Sequence, residues 1–148
     1  QLSTDLAYDG NWQEYLGYIA SRLQRYSSQR DKLKGESFVH GFTLAMASLN
    51  RFYRPVSEQD CQQGYVDLFL RPELEIYKDM RHSYIIELKY AKSKDTDQRV
   101  EQLRQEAIAQ AHRYADTEVV KRGVGHTQLH QIVVVYRGME MVVCEEIA

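Results

Sequence analysis

Ser83-Tyr84-Ile85-Ile86-Glu87-Leu88-Lys89-Tyr90 is the stretch on which the reading of this chain turns. It is apolar, aromatic and β-branched enough for a buried strand, yet two charges stand inside it. Charged side chains are almost never fully buried unless they are paired or hold a metal. Side chains alternate faces along a strand, so Glu87 and Lys89 share one face. Tyr84, Ile86, Leu88 and Tyr90 take the other, where they can bury against a helix. Upstream, Gly64-Tyr65-Val66-Asp67-Leu68-Phe69-Leu70 repeats the pattern, an aspartate inside a second apolar run. If the two strands pair, Asp67 reaches the side held by Glu87 and Lys89.

Three charges in core-like strands need a reason, and a divalent cation supplies one. Two carboxylates, water and the Leu88 carbonyl suit the oxygen-rich octahedral shell of Mg²⁺, or of Mn²⁺. Lys89 would then orient a nucleophilic water or offset charge developing on a phosphate. The plain alternatives are that Asp67 is a turn residue beside a glycine, and that Glu87 and Lys89 form a cross-strand ion pair on a wet face. Apolar residues on both faces of the strand speak against the second.

Working outward, Trp12, Tyr15, Leu16, Ile19, Leu23 and Tyr26 recur at helical spacing, with Asn11 as a possible N-cap. A second helix is predicted from Lys34 to Asn50, with Phe38, Phe42, Ala45, Met46 and Leu49 on its buried face. Glu36 lies near its start, one turn from His40. Extended segments follow at 56–62, 65–70 and 82–90, with Pro72 to Met80 as a surface turn. Asp95 or Thr96 caps a long helix to Tyr114, whose apolar stripe is Val100, Leu103, Ala107, Ile108, Ala111 and Tyr114. Gln110 falls on the same side, an amide among core positions. Two strands close the chain, 129–136 and 139–145, joined by a tight turn at Arg137-Gly138. The order α-β-β-β-α-β-β predicts an α/β (α+β) fold, a mixed sheet flanked by helices with the Asp67 and Glu87 strands antiparallel neighbours.

The ordered set of Asp67, then Glu87-Leu88-Lys89, resembles the PD-(D/E)XK phosphodiesterase superfamily, the restriction-endonuclease-like fold of many restriction and repair enzymes. Gln110 and Tyr114, four apart on a helix, are similar to the Q-x-x-x-Y motif of RecB-type members. Glu36-Ser37-Phe38-Val39-His40-Gly41-Phe42 before the Gly64-x-x-Asp67 strand resembles the nuclease domain that ends many bacterial AAA-ATPase-like proteins. The likeness runs from about Leu33 to Glu145 and departs at Val66, where a proline is common. It implies a nuclease acting on DNA or RNA, with Asp67, Glu87, Lys89 and Gln110 as catalytic residues. Asp67, Glu87 and Glu36 would hold the metal, and Tyr114 and Lys92 would meet substrate. Taken without the likeness, Glu36 suits a helix dipole, Tyr114 suits a core and Lys92 suits a wet loop. It also implies an upstream ATPase-like domain, served by residues 1–30 as the join and 31–148 as the nuclease-like unit. A catalytically silent interaction module on the same fold is the competing reading.

Composition bounds these readings. The chain has 148 residues, 43% hydrophobic and 27% charged, enough for one domain with a real core. A net charge of −2 gives no general electrostatic grip on nucleic acid, and the basic residues are dispersed. No phosphate-cradling glycine loop is present, which excludes an ATPase in this segment. No apolar run approaches a membrane span, and no signal peptide opens the chain. Cys61 and Cys144 lack metal-ligand spacing and suit a reducing, cytoplasmic setting. A start at Gln1 rather than Met suggests a piece of a longer polypeptide. Among the histidines, His40, His112, His126 and His130 read as structural or exposed, while His82 stands where it could approach a phosphate.

Overall fold

The opening stretch forms most of β3 (His82–Ala91), the central strand of a five-stranded sheet. This computed structural model describes residues 1–29, 35–60 and 65–148, so Leu33, Lys34, Cys61, Gln62 and Gly64 lie outside the described residues. β1 (Tyr53–Asp60) and β2 (Tyr65–Pro72) precede β3, and β4 (Gln128–Arg137) and β5 (Glu140–Ile147) follow it. Spatial order repeats chain order, β1-β2-β3-β4-β5. Every neighbouring pair is antiparallel except β3 and β4, which run parallel. A tight turn cannot join a parallel pair. The crossover is supplied by α4 (Asp97–Ala115) and the short α5 (Glu118–Gly123). Thr96 caps α4, its hydroxyl accepting the Arg99 N–H at 3.1 Å. Gly138, at φ +60°, makes the turn between β4 and β5.

The sheet buries both faces. Leu68, Leu70, Tyr84, Ile86, Leu88, Ile132 and Val134 pack against three helices, α1 (Leu2–Asp9), α2 (Trp12–Gln29) and α3 (Glu36–Ser48). On the opposite face Phe69 and Ile85 meet Ala111, Tyr114 and Val120, and Val135 meets Val100 and Leu103. The stripe predicted for the long helix is therefore the one it buries, except that Ile108 is only half-buried. This mixed sheet with flanking helices is the α+β architecture that the strand pattern predicts.

Three elements differ from their predicted form, and one of them, α5, falls where the sequence pattern predicts no helix. α1 lies ahead of the first predicted helix, and with α2 it places Leu6, Trp12, Leu16, Ile19 and Leu23 in the same core as the sheet. α3 buries Val39, Thr43 and Ala47 with His40, rather than the Phe38-Phe42-Ala45-Met46-Leu49 face. Leu49 falls past the helix end and is 80% exposed. The smaller residues let α3 lie close to the sheet, while Phe38 and Phe42 pack against each other on its flank, ring centroids 5.6 Å apart. No helix among the described residues is long and apolar enough to cross a membrane.

Candidate active site

The β2–β3 register pairs Asp67 directly with Glu87, one step from Leu68 with Ile86 and two from Phe69 with Ile85. Because each strand buries both of its faces, a one-residue slip would drive the acids into the helical core on the other side. Asp67 is 8% exposed, Glu87 0% and Lys89 1%. Oδ1 of Asp67 and both carboxyl oxygens of Glu87 are buried with no hydrogen-bond partner. Leaving a buried polar atom unpaired costs about 1–3 kcal/mol, and more for a charge.

Burial pushes the Glu87 carboxyl up to about 10, and the adjoining Asp67 carboxyl adds to the rise, while Lys89 and Arg113 oppose it. With both acids ionised no hydrogen bond joins them. A proton retained on Glu87 can be donated toward Asp67, and at neutral pH Glu87 retains one. Burial lowers the pKa of Lys89, against which Glu106, Glu87 and Asp67 act. The Lys89 ammonium lies 3.8 Å from Oε2 of Glu106, a residue of α4 whose other oxygen is 4.0 Å from Arg99. Helical spacing carries Arg99, Glu106, Gln110 and Arg113 along one side of α4, the side turned to the acid pair.

Gln110 holds its amide oxygen buried, and that oxygen has no hydrogen-bond partner among the described residues. Tyr114 is 5% exposed and packs with Phe69 and Ile85 in the cluster between α4 and the sheet, the core position that its place on the apolar stripe predicts. Lys92 is exposed just past the end of β3, its backbone N–H donating to Asp95 at 2.9 Å, apart from the buried charges. Glu36 bears electrostatically on Tyr90, which points to the face of β3 opposite Glu87. Among the described residues no group of three His, Cys, Asp or Glu side chains could hold a metal, so Glu36 does not complete a trio with Asp67 and Glu87.

His40, on α3, is buried, which agrees with its reading as a structural residue; its Nε2 has no partner among the described residues, and burial with the charge of Lys89 pushes its pKa down to about 4. His82 pairs with another histidine. Its Nδ1 lies 2.8 Å from Nε2 of His130, whose Nδ1 lies 2.7 Å from Glu146. His130 stacks on Tyr84 at 5.0 Å, which sets this chain on the helical-core face of the sheet, away from Glu87.

The acid pair fits a hard divalent cation: its oxygens are buried, unsatisfied and of the ligand type that such ions take. With two carboxylates only, water and main-chain carbonyl would have to complete the shell. A mixed five-stranded sheet carrying an aspartate, then Glu-x-Lys, on adjacent antiparallel strands is the arrangement of one nuclease fold. The family model of the PD-(D/E)XK nuclease superfamily matches residues 34–146, and the chain belongs to that superfamily. Searches of curated proteins and of solved structures return no match.

Proposed function

We propose that the chain is a metal-dependent phosphodiesterase acting on nucleic acid, with DNA the first candidate substrate. The observation that carries this reading is the buried Asp67–Glu87 pair, with unsatisfied oxygens and Lys89 beside it on the same face of β3. Asp67 and Glu87 would hold Mg²⁺ or Mn²⁺, and Glu87 would give up its proton to do so. The ion, when bound, supplies a Lewis acid and a water acidic enough to attack phosphorus. Lys89 orients that water and offsets charge that builds on the phosphate oxygens. Arg113, whose charge already bears on Glu87, adds to the positive rim of the site. Gln110 stands by as a polar group whose buried oxygen can accept a bond from water or substrate.

Asp67→Ala and Lys89→Ala should each lower Mg²⁺-dependent cleavage by at least about a hundredfold while the circular dichroism spectrum is kept. The assay should use single- and double-stranded DNA and RNA. It should be run on the chain alone and joined to the upstream ATPase-like domain that the resemblance implies. Wild-type protein inert on all four substrates, with Mg²⁺ and with Mn²⁺, would sink the reading.

A further inference from the structure

We infer that Glu106 is a resident counter-anion, occupying the approach to Lys89 that a substrate phosphate takes over. The inference rests on the phosphodiesterase reading of this face and names a positioning residue for it. Lys89 has a side chain only 2% exposed, whereas Glu106 is 47% exposed, so their pair runs from the interior to the solvent. A solute nearing the lysine meets the carboxylate first. The separation of 3.8 Å exceeds a hydrogen bond, so charge rather than a directed bond holds Glu106 in place. Such a contact yields readily to a better-placed anion.

Arg99 gives the displaced side chain somewhere to go. Its guanidinium lies 4.0 Å from the other Glu106 oxygen and is 44% exposed, two turns back on the same side of α4. Glu106 can keep one cationic partner while it leaves the other. A phosphate presents the same kind of acceptor oxygens to an ammonium as a carboxylate does. Asp67 and Glu87 are committed to a cation by their burial; Glu106 is not, and its charge opposes every phosphate that approaches.

Inorganic phosphate is the probe, with melting temperature followed against phosphate at constant ionic strength and chloride as the reference. Glu106→Gln should bind phosphate about tenfold more tightly than wild type, because one nearby negative charge is removed. Adding Lys89→Met should abolish that gain, and Glu106→Ala should reproduce it should the glutamine find a new partner. In cleavage assays Glu106→Gln should lower KM while kcat stays within about threefold, the pattern of altered binding rather than altered chemistry. Equal phosphate response in wild type and both Glu106 variants would overturn the inference, as would a gain that survives loss of Lys89. A wild type without nuclease activity would count against the enzyme reading only, since the phosphate comparison decides the role of Glu106 by itself.

Discussion

Glu87 keeps its proton at neutral pH because the sheet interior strips its water and Asp67 sits opposite it in register. Its folded pKa, about 10, lies far above its ordinary 4.5, which turns the usual pH dependence of an acid around. Well below the ordinary value both folded and unfolded chains are protonated there, and nothing is gained or lost. Above it the unfolded chain releases the proton while the fold retains it, so each unit of rising pH costs the metal-free protein up to about 1.4 kcal/mol. His40 works in the other direction. Its folded pKa of about 4 lies below its ordinary 6.5, so it destabilises the fold only as pH falls below the latter. Between pH 7 and pH 9 His40 is silent, while Lys89, lowered by burial, works against Glu87 and the raised Cys144 thiol adds to it near the upper end. The comparison with Glu87→Gln therefore isolates Glu87: the variant should lose the downward contribution of pH to the melting temperature and melt higher than metal-free wild type at pH 8. Parallel curves for the two proteins would mean that Glu87 is ionised in the fold. The same linkage makes metal affinity rise with pH, since the ion must displace this proton.

At the scale of elements, α1 and α2 matter most. Leu6, Leu16, Ile19 and Leu23 are each less than 5% exposed, packed on the sheet face that backs the acids. Burying one such side chain is worth about 1.5–3 kcal/mol, so four approach the whole stability of a typical domain. The family match begins at residue 34, after both helices. A fragment of residues 35–148 should therefore lose near-ultraviolet circular dichroism and associate on gel filtration. A folded monomeric fragment would show that the two helices are dispensable. The sequence periodicity made α4 legible because its stripe meets a flat sheet with nothing competing for it. It misplaced the buried side of α3, where large aromatic residues looked like core. There, close approach to the sheet favours Val39, Thr43 and Ala47, a tertiary constraint that hydrophobicity alone does not display.

Over the whole molecule, the chain order of the main elements and the facing acid pair were readable, the pair because a period of two assigns faces without any knowledge of neighbours. What stayed hidden was whatever depends on which distant residues meet: Glu106 reaching Lys89 from α4, and the His82–His130–Glu146 chain on the far face. Gln110 was legible as an amide on the long helix, but not what its buried oxygen would meet, since spacing gives direction and not distance. The crossover between β3 and β4 carries one more consequence, and it concerns time. Asp67 and Glu87 lie on strands adjacent in sequence and antiparallel, a local hairpin, whereas the parallel β3–β4 pairing waits for α4 and α5 to be laid across the sheet. Local pairs close at less entropic cost than distant ones and tend to form before them. The two acids thus meet early, before the helix that covers them arrives. On this order of events their mutual repulsion bears on the rate-limiting step of assembly. In stopped-flow measurements at pH 8, Glu87→Gln should speed refolding and leave unfolding nearly unchanged; a change confined to the unfolding limb would place the hairpin late. A cation that the finished site holds for chemistry would, on the same grounds, hasten the making of the site itself.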